Sequence, residues 1–153
     1  MPGAEPPGPA GLTTVLVVDM ANVVGSVPDG WWRDRAAAAQ RLLSGLAALG
    51  GRTVTGPDGG PIRLDRIVAV LEGRANRASD PGGDQRNGSL EIARASGSGD
   101  DEIAELVAGF IAAGEQVLVV TADRGLRSRL PAAASITGPG WLNHLLGRGE
   151  RQG

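Results

Sequence analysis

Thr13-Thr14-Val15-Leu16-Val17-Val18-Asp19 is rich in β-branched residues, carries apolar side chains at consecutive positions, and stops on an acid. β-Branched residues suit a pleated backbone. A strand with one wet face alternates polar and apolar residues; Val15 to Val18 does not alternate. The run therefore reads as a central parallel strand covered on both faces. Ile67-Val68-Ala69-Val70-Leu71 before Glu72, and Val117-Leu118-Val119-Val120 before Thr121-Ala122-Asp123, repeat the pattern.

Helical periodicity fills the intervals. Ala39, Leu42, Leu43 and Leu46 fall at i, i+3, i+4 and i+7, which predicts an amphipathic helix over 31–49, stopped by Gly50 and Gly51. Ile103, Leu106, Val107, Phe110 and Ile111 predict a second, opening after Ser98-Gly99-Asp100-Asp101. A short edge strand is expected at 90–95, a short helix at 123–130, a last strand at 135–137 and a terminal helix at 140–147. Strands alternating with helices imply a three-layer α/β/α domain with a doubly wound, mostly parallel central sheet. One domain is expected over 12–147, with a disordered Pro/Gly-rich tail at 1–11 and a polar tail at 148–153. Pro28-Asp29-Gly30 reads as a turn, and 73–89 as a long loop holding Arg74, Arg77 and Arg86 against Asp80 and Asp84.

Composition narrows the chemistry. The chain has 153 residues with no Cys, no Tyr, one His, and 15 basic residues that are all Arg. That excludes thiol nucleophiles, Cys-ligated zinc, Schiff-base lysines and a P-loop lysine. Asp19-Met20-Ala21-Asn22 follows the first strand where a dinucleotide site needs a glycine fingerprint. Net charge is −2, which argues against a broad basic surface. Nothing resembles a signal peptide or a membrane span, so the expectation is a cytoplasmic protein with no membrane association.

Carboxylates are left to carry any catalysis. Ligands of open α/β sheets bind beyond the carboxyl ends of the strands. Asp19, Glu72 and Asp123 all follow buried runs, and Asp100 and Asp101 open a helix that must start at the same edge. Grouped acids repel one another unless protonated or bridged by a cation, and Mg²⁺ or Mn²⁺ suits an all-oxygen site. Each acid also has a plain structural reading. Asp123, Asp100 and Asp101 suit helix N-termini, whereas Asp19 ends a strand and begins no obvious helix. Asn22 could orient a water or a phosphate, or satisfy a turn; Thr121 could hold a metal ligand, or simply favour a strand. Arg124 and Arg127 are the arginines best placed for phosphate, although surface Arg is commonly just solvated. Trp31 and Trp32 could stack a base, but core or hinge packing is expected for at least one. Trp141 is expected to anchor the terminal helix, and His144 to be structural or exposed.

Asp19-x-x-Asn22, the Ser98-Gly99-Asp100-Asp101-Glu102 helix start and Thr121-x-Asp123 together resemble the NYN domains of the PIN-like metal-dependent nucleases, in particular the YacP-like branch. The resemblance spans about residues 13–146. It implies a PIN-like α/β/α fold and Mg²⁺ or Mn²⁺ as cofactor. The implied metal site comprises Asp19, Asp100, Asp101 and Asp123, with Glu72 as a less constant member. It implies Asn22 as a further site residue and cleavage of RNA phosphodiesters. Ser98, Thr121, Arg124 and Arg127 are expected on the phosphate side, and single-stranded RNA is the expected substrate. Where the family often reads Asp-Gly-Tyr-Asn, this chain has Met20 and Ala21 in the middle. The expected activity is hydrolysis of RNA phosphodiesters. The rivals are a metal-dependent nucleotide pyrophosphohydrolase and a non-catalytic RNA-binding module. Monomer and homodimer both remain open.

Overall fold

The computed structural model describes residues 12–27, 30–72 and 90–148. The expected tail at 1–11, Pro28 and Asp29 of the expected turn, the expected loop at 73–89 and the end of the C-terminal tail lie outside these residues.

The sheet is built on the stretch that opens with Thr13. Strand β1 (Leu12–Asp19) lies between β3 (Pro61–Leu71) and β5 (Gln116–Val120), parallel to both. β4 (Leu90–Arg94) extends the sheet beyond the second half of β3, and β6 (Ser135–Thr137) beyond β5, both parallel. Through their carboxyl-terminal halves the strands run β4-β3-β1-β5-β6. β2 (Thr53–Thr55) pairs antiparallel with the first half of β3. This is the doubly wound, mostly parallel α/β/α arrangement that the alternation of patterns predicts.

Successive residues of β1 go to opposite faces, which is why it lacks a polar side. Leu16 and Val18 join a core with Met20 and Val23 of α1 (Met20–Val24), Leu42, Leu43 and Leu46 of α2 (Arg35–Leu49), and Leu142 of α5 (Pro139–Leu146). Val15 and Val17 join the other core, with Ile103 and Val107 of α3 (Gly99–Ala112) and Leu126 of α4 (Arg124–Arg129). A 3-10 turn, Trp31–Arg33, precedes α2.

Three features depart from the sequence reading. Asp19 does begin a helix: it is the N-cap of the five-residue α1, accepting from the Asn22 amide. So short a helix shows no periodicity of its own. β3 starts at Pro61 rather than Ile67, and its first half alternates exposed and sheltered residues because only one face there meets the core. The Gly56–Gly60 segment is the turn of a hairpin with β2, closed by Gly56 N–H to the Gly60 carbonyl at 2.7 Å.

Candidate active site

The sheet reverses its winding between β1 and β5. From β1 the chain crosses to β3 and β4 on one side, while β5 and β6 lie on the other. A crevice opens beyond the carboxyl ends at such a switch point, where ligands of α/β sheets bind. Asp19 is the last residue of β1. Its neighbours at that edge are Glu72, just past β3, and Thr121, just past β5.

Asp19 is buried, only 7% exposed, and its two oxygens have separate tasks. Oδ1 accepts the Asn22 backbone N–H at 3.3 Å, and Oδ2 accepts the Thr121 hydroxyl at 2.8 Å. The Thr121 oxygen in turn accepts the Asp123 N–H at 3.1 Å, so one fully buried threonine links the ends of both central strands. Burial pushes the Asp19 carboxyl above the ordinary aspartate range. The bonds from Thr121 and Asn22 oppose that rise, and the negative charges of Asp100 and Glu72 add to it.

The link from β5 to α4 is held on both sides. The Asn22 side-chain oxygen accepts the Ala122 N–H at 2.8 Å. Arg127 directs Nε and Nη2 onto the Thr121 carbonyl at 3.2 and 3.0 Å. Asp123 caps α4 by accepting the Leu126 N–H at 3.0 Å.

The start of α3 is brought to the same edge by Glu72, whose Oε1 accepts the Gly99 N–H at 2.8 Å. A Cβ at position 99 would stand 3.1 Å from the Glu72 carboxyl carbon, so the closeness of this capping contact depends on glycine. Ser98 Oγ accepts from the Asp100 and Asp101 amides at 3.1 and 3.4 Å. Asp100 then enters the acidic field. Burial raises its carboxyl, Asp123 and Glu72 raise it further, Arg129 opposes them, and Asp101 adds to the rise.

The expected residues thus separate into four groups. Asp19, Glu72, Asp100 and Asp123 share one electrostatic neighbourhood at the β1/β5 edge. Thr121, Asn22, Ser98 and Arg127 form its frame, with the described bonds of Arg127 going to backbone. Asp101 adds to the field at Asp100 but is paired and open to solvent: its Oδ1 accepts Arg129 Nη2 at 2.8 Å, and its side chain is 70% exposed. Arg124 is exposed at the first position of α4.

Sequence reasoning overlooked two members of the frame, Gly99 and Arg129. Gly99 sits inside the quoted Ser98–Glu102 motif, and a glycine at a helix start facing a strand-end acid is a readable signal. The pairing of Arg129 with Asp101, across 28 positions in the chain, has no local signature.

The donor set is all carboxylate and hydroxyl oxygen, which matches a hard divalent cation. Among the described residues no three acids are grouped tightly enough to enclose an ion. Mg²⁺ does not need such an enclosure, since it keeps several waters and takes one or two carboxylates. The carboxyls of Asp19 and Asp100 are raised chiefly by burial, and neighbouring acids add to the rise, a charge that a cation would offset. The fit is to a largely hydrated ion. An open groove of about 330 Å³ lies at the opposite end of the strands, lined by Thr14, Gln116 and Ser135, with Asp58 as its acid. It is remote from the cluster.

The architecture is a doubly wound, mostly parallel α/β/α sheet with an acid at the end of its central strand, at the switch point. Within that class it resembles Rae1 (YacP) from Bacillus subtilis. The crystal structure of that protein matches with a TM-score of 0.59 at 17% identity, over 87% of this chain and 73% of that one. A point mutant of Rae1 matches with a TM-score of 0.60 at 16% identity, over 88% of this chain and 75% of that one. At such identities the likeness establishes the fold. No family model and no curated protein sequence matches the chain. Among the described residues no helix is long and apolar enough to cross a membrane.

Proposed function

We propose that this protein is a divalent-metal-dependent ribonuclease that hydrolyses phosphodiester bonds of single-stranded RNA at the β1/β5 edge. The observation carrying this reading is the buried Asp19 carboxylate, raised by burial and by the charges of Asp100 and Glu72, at the switch point of a PIN-like sheet. The likeness to Rae1 and the NYN motifs supports RNA as the substrate class.

In this reading Asp19, Asp100 and Asp123 hold Mg²⁺ or Mn²⁺ or its water shell, with Glu72 beside them. The ion when bound supplies charge neutralisation at a phosphoryl oxygen and a more acidic water. The chain's own residues fix the geometry. Thr121 and the Asn22 amide orient the Asp19 oxygens, and the Asn22 side chain and Arg127 hold the segment from which Asp123 projects. Ser98 and Glu72 fix the α3 start that carries Asp100. Among the described residues of this group, Arg124, exposed on the first turn of α4, is the cation placed to meet a phosphate. Asp101, occupied by Arg129, contributes charge from outside the cluster.

The test is a side-by-side assay of labelled single-stranded RNA and nucleoside triphosphates, with Mn²⁺ or with EDTA, for wild type and Asp19→Asn. The expected result is Mn²⁺-dependent RNA cleavage by wild type, its loss in Asp19→Asn, and an unchanged fold. Hydrolysis of triphosphates without RNA cleavage would instead support the pyrophosphohydrolase. RNA binding with neither activity would support a binding module.

A further inference from the structure

Trp32 is the exposed large hydrophobic side chain among the described residues, with 53% of its surface open. Leaving an indole in water forgoes the burial that most tryptophans obtain, and three observations bear on its use. First, it is braced. Its ring meets that of Trp31 edge to face, at 5.9 Å between centroids and 86° between planes, and Trp31 packs on the core beneath α1 and α2. Second, it is flanked by cations. The Arg33 guanidinium lies 5.9 Å from the Trp32 ring centre and that of Arg35 5.5 Å from the Trp31 ring centre. Both arginines are exposed, and the intervening Asp34 is occupied in capping α2 through the Ala37 N–H at 3.0 Å.

Third, it lies at the acidic edge. α2 ends next to the first half of β3, where Gly51 N–H meets the Leu64 carbonyl at 2.7 Å, so its Arg35 end is directed toward the opposite, carboxyl-terminal edge. Trp31 comes within 3.6 Å of where a Cβ on Gly25 would stand, at the C-cap of α1, and the N-cap of α1 is Asp19 itself. Five helical residues span only about 7.5 Å. Trp31 therefore packs against the far end of the short helix that Asp19 opens, and the Trp32 ring lies beyond it, 5.9 Å from that of Trp31.

We propose that Trp32, with Arg33 and Arg35, is a stacking platform for a nucleobase of the single strand flanking the bond at the acidic edge. This rests on the reading of the chain as a ribonuclease. An indole face accepts any base, and neighbouring guanidiniums meet the phosphates on either side. The Arg33 contact is near the outer limit for a cation over a ring, so a base can replace it while the guanidinium turns to a phosphate.

The test separates binding from cleavage. Binding of fluorescein-labelled single-stranded oligoadenylate is measured by anisotropy in EDTA, so that no bond is cut, and quenching of tryptophan emission is followed in parallel. Base stacking is worth about 1–3 kcal/mol per base by alanine substitution. Trp32→Ala should therefore weaken binding about 5- to 150-fold and remove most of the quenching. Trp32→Phe should recover part of the affinity, and the melting temperature should hold because the ring is exposed. Unchanged affinity and quenching in Trp32→Ala overturns the platform, even if wild type cleaves RNA. Loss of binding equal in Trp32→Ala and Trp32→Phe would also overturn it, since stacking requires only an aromatic face. Should wild type bind the oligomer with Trp32-dependent quenching yet never cleave RNA, the platform stands and the nuclease reading fails.

Discussion

Replacing Thr121 with valine keeps the shape of a fully buried side chain and removes one oxygen. That oxygen donates to Asp19 Oδ2 at 2.8 Å and accepts the Asp123 N–H at 3.1 Å. A hydrogen bond to a charged acceptor contributes about 1.5–3 kcal/mol, and Asp19 has little water to replace the lost donor. The expected destabilisation is about 2 kcal/mol at neutral pH, which for a domain of this size lowers Tm by about 4–8 °C. Thr121→Ser keeps the oxygen and should recover most of the loss. The pH dependence has a definite sign. The Thr121 bond favours the ionised carboxylate and so opposes the rise caused by burial. Without it Asp19 ionises at still higher pH. The stability deficit should then be full at neutral pH and shrink as acid protonates Asp19, while the acid limb of RNA cleavage moves to higher pH. Urea denaturation across this range, with cleavage assayed on the same samples, measures both effects. A Thr121→Val protein as stable as wild type at neutral pH, or one whose deficit grows on acidification, would refute the role given to this bond.

Other expectations follow from the same frame. Arg127→Met removes two bonds to the Thr121 carbonyl; it should cost about 1–2 kcal/mol in urea denaturation and lower cleavage more than RNA binding, whereas a phosphate-binding arginine would mainly lower affinity. Gly99→Ala drives a Cβ toward the Glu72 carboxylate, so it should lower Tm and RNA cleavage together, and Glu72→Gln, which keeps an acceptor for Gly99, should leave Tm near wild type. Asp19 and Asp100 are both raised above their unfolded values. Their ionisation therefore works against folding: the penalty is absent below about pH 4, where the unfolded carboxylates also hold their protons, and grows as pH rises through the folded values. The rise in Tm on adding Mn²⁺ should accordingly grow from about pH 4 toward neutrality and be much smaller in Asp19→Asn, as differential scanning fluorimetry can show.

The strongest patterns in the sequence are those buried on both sides. Val15 to Val18, Ile67 to Leu71 and Val117 to Val120 lie in the sheet as read, and their order already puts the acids at one edge. The opening half of β3 was harder to read, because Ile62 and Leu64 alternate with exposed residues beside a Pro/Gly-rich turn. α1 was hidden by its length: five residues give no period, and the cap that defines it is the same aspartate that reads as a ligand. Asp101 illustrates a limit of motif transfer. Consecutive helical residues point about 100° apart, and only the fold reveals that Arg129 engages Asp101 while Asp100 lies in the field of Asp123 and Glu72. Thr121 read equally well as a strand former and as a partner of the acids, and its hydrogen bonds to Asp19 and Asp123 decide between these. Arg127 suits a phosphate by residue type, yet its guanidinium is bonded to a carbonyl three residues before α4 begins, a contact without sequence signature.

A cation shared by the acids at the β1/β5 edge is the central requirement of a metal-dependent site. Crystals soaked in Mn²⁺ and measured at its absorption edge test this directly. The prediction is one anomalous peak with an Asp19 oxygen about 2.1–2.3 Å away, as expected for a hard divalent ion. Asp100 and Asp123 should be bound directly or through water, and the peak should be absent from Asp19→Asn crystals. Mn²⁺ found only on surface carboxylates such as Asp58, with the β1/β5 edge empty at saturating metal, would contradict it.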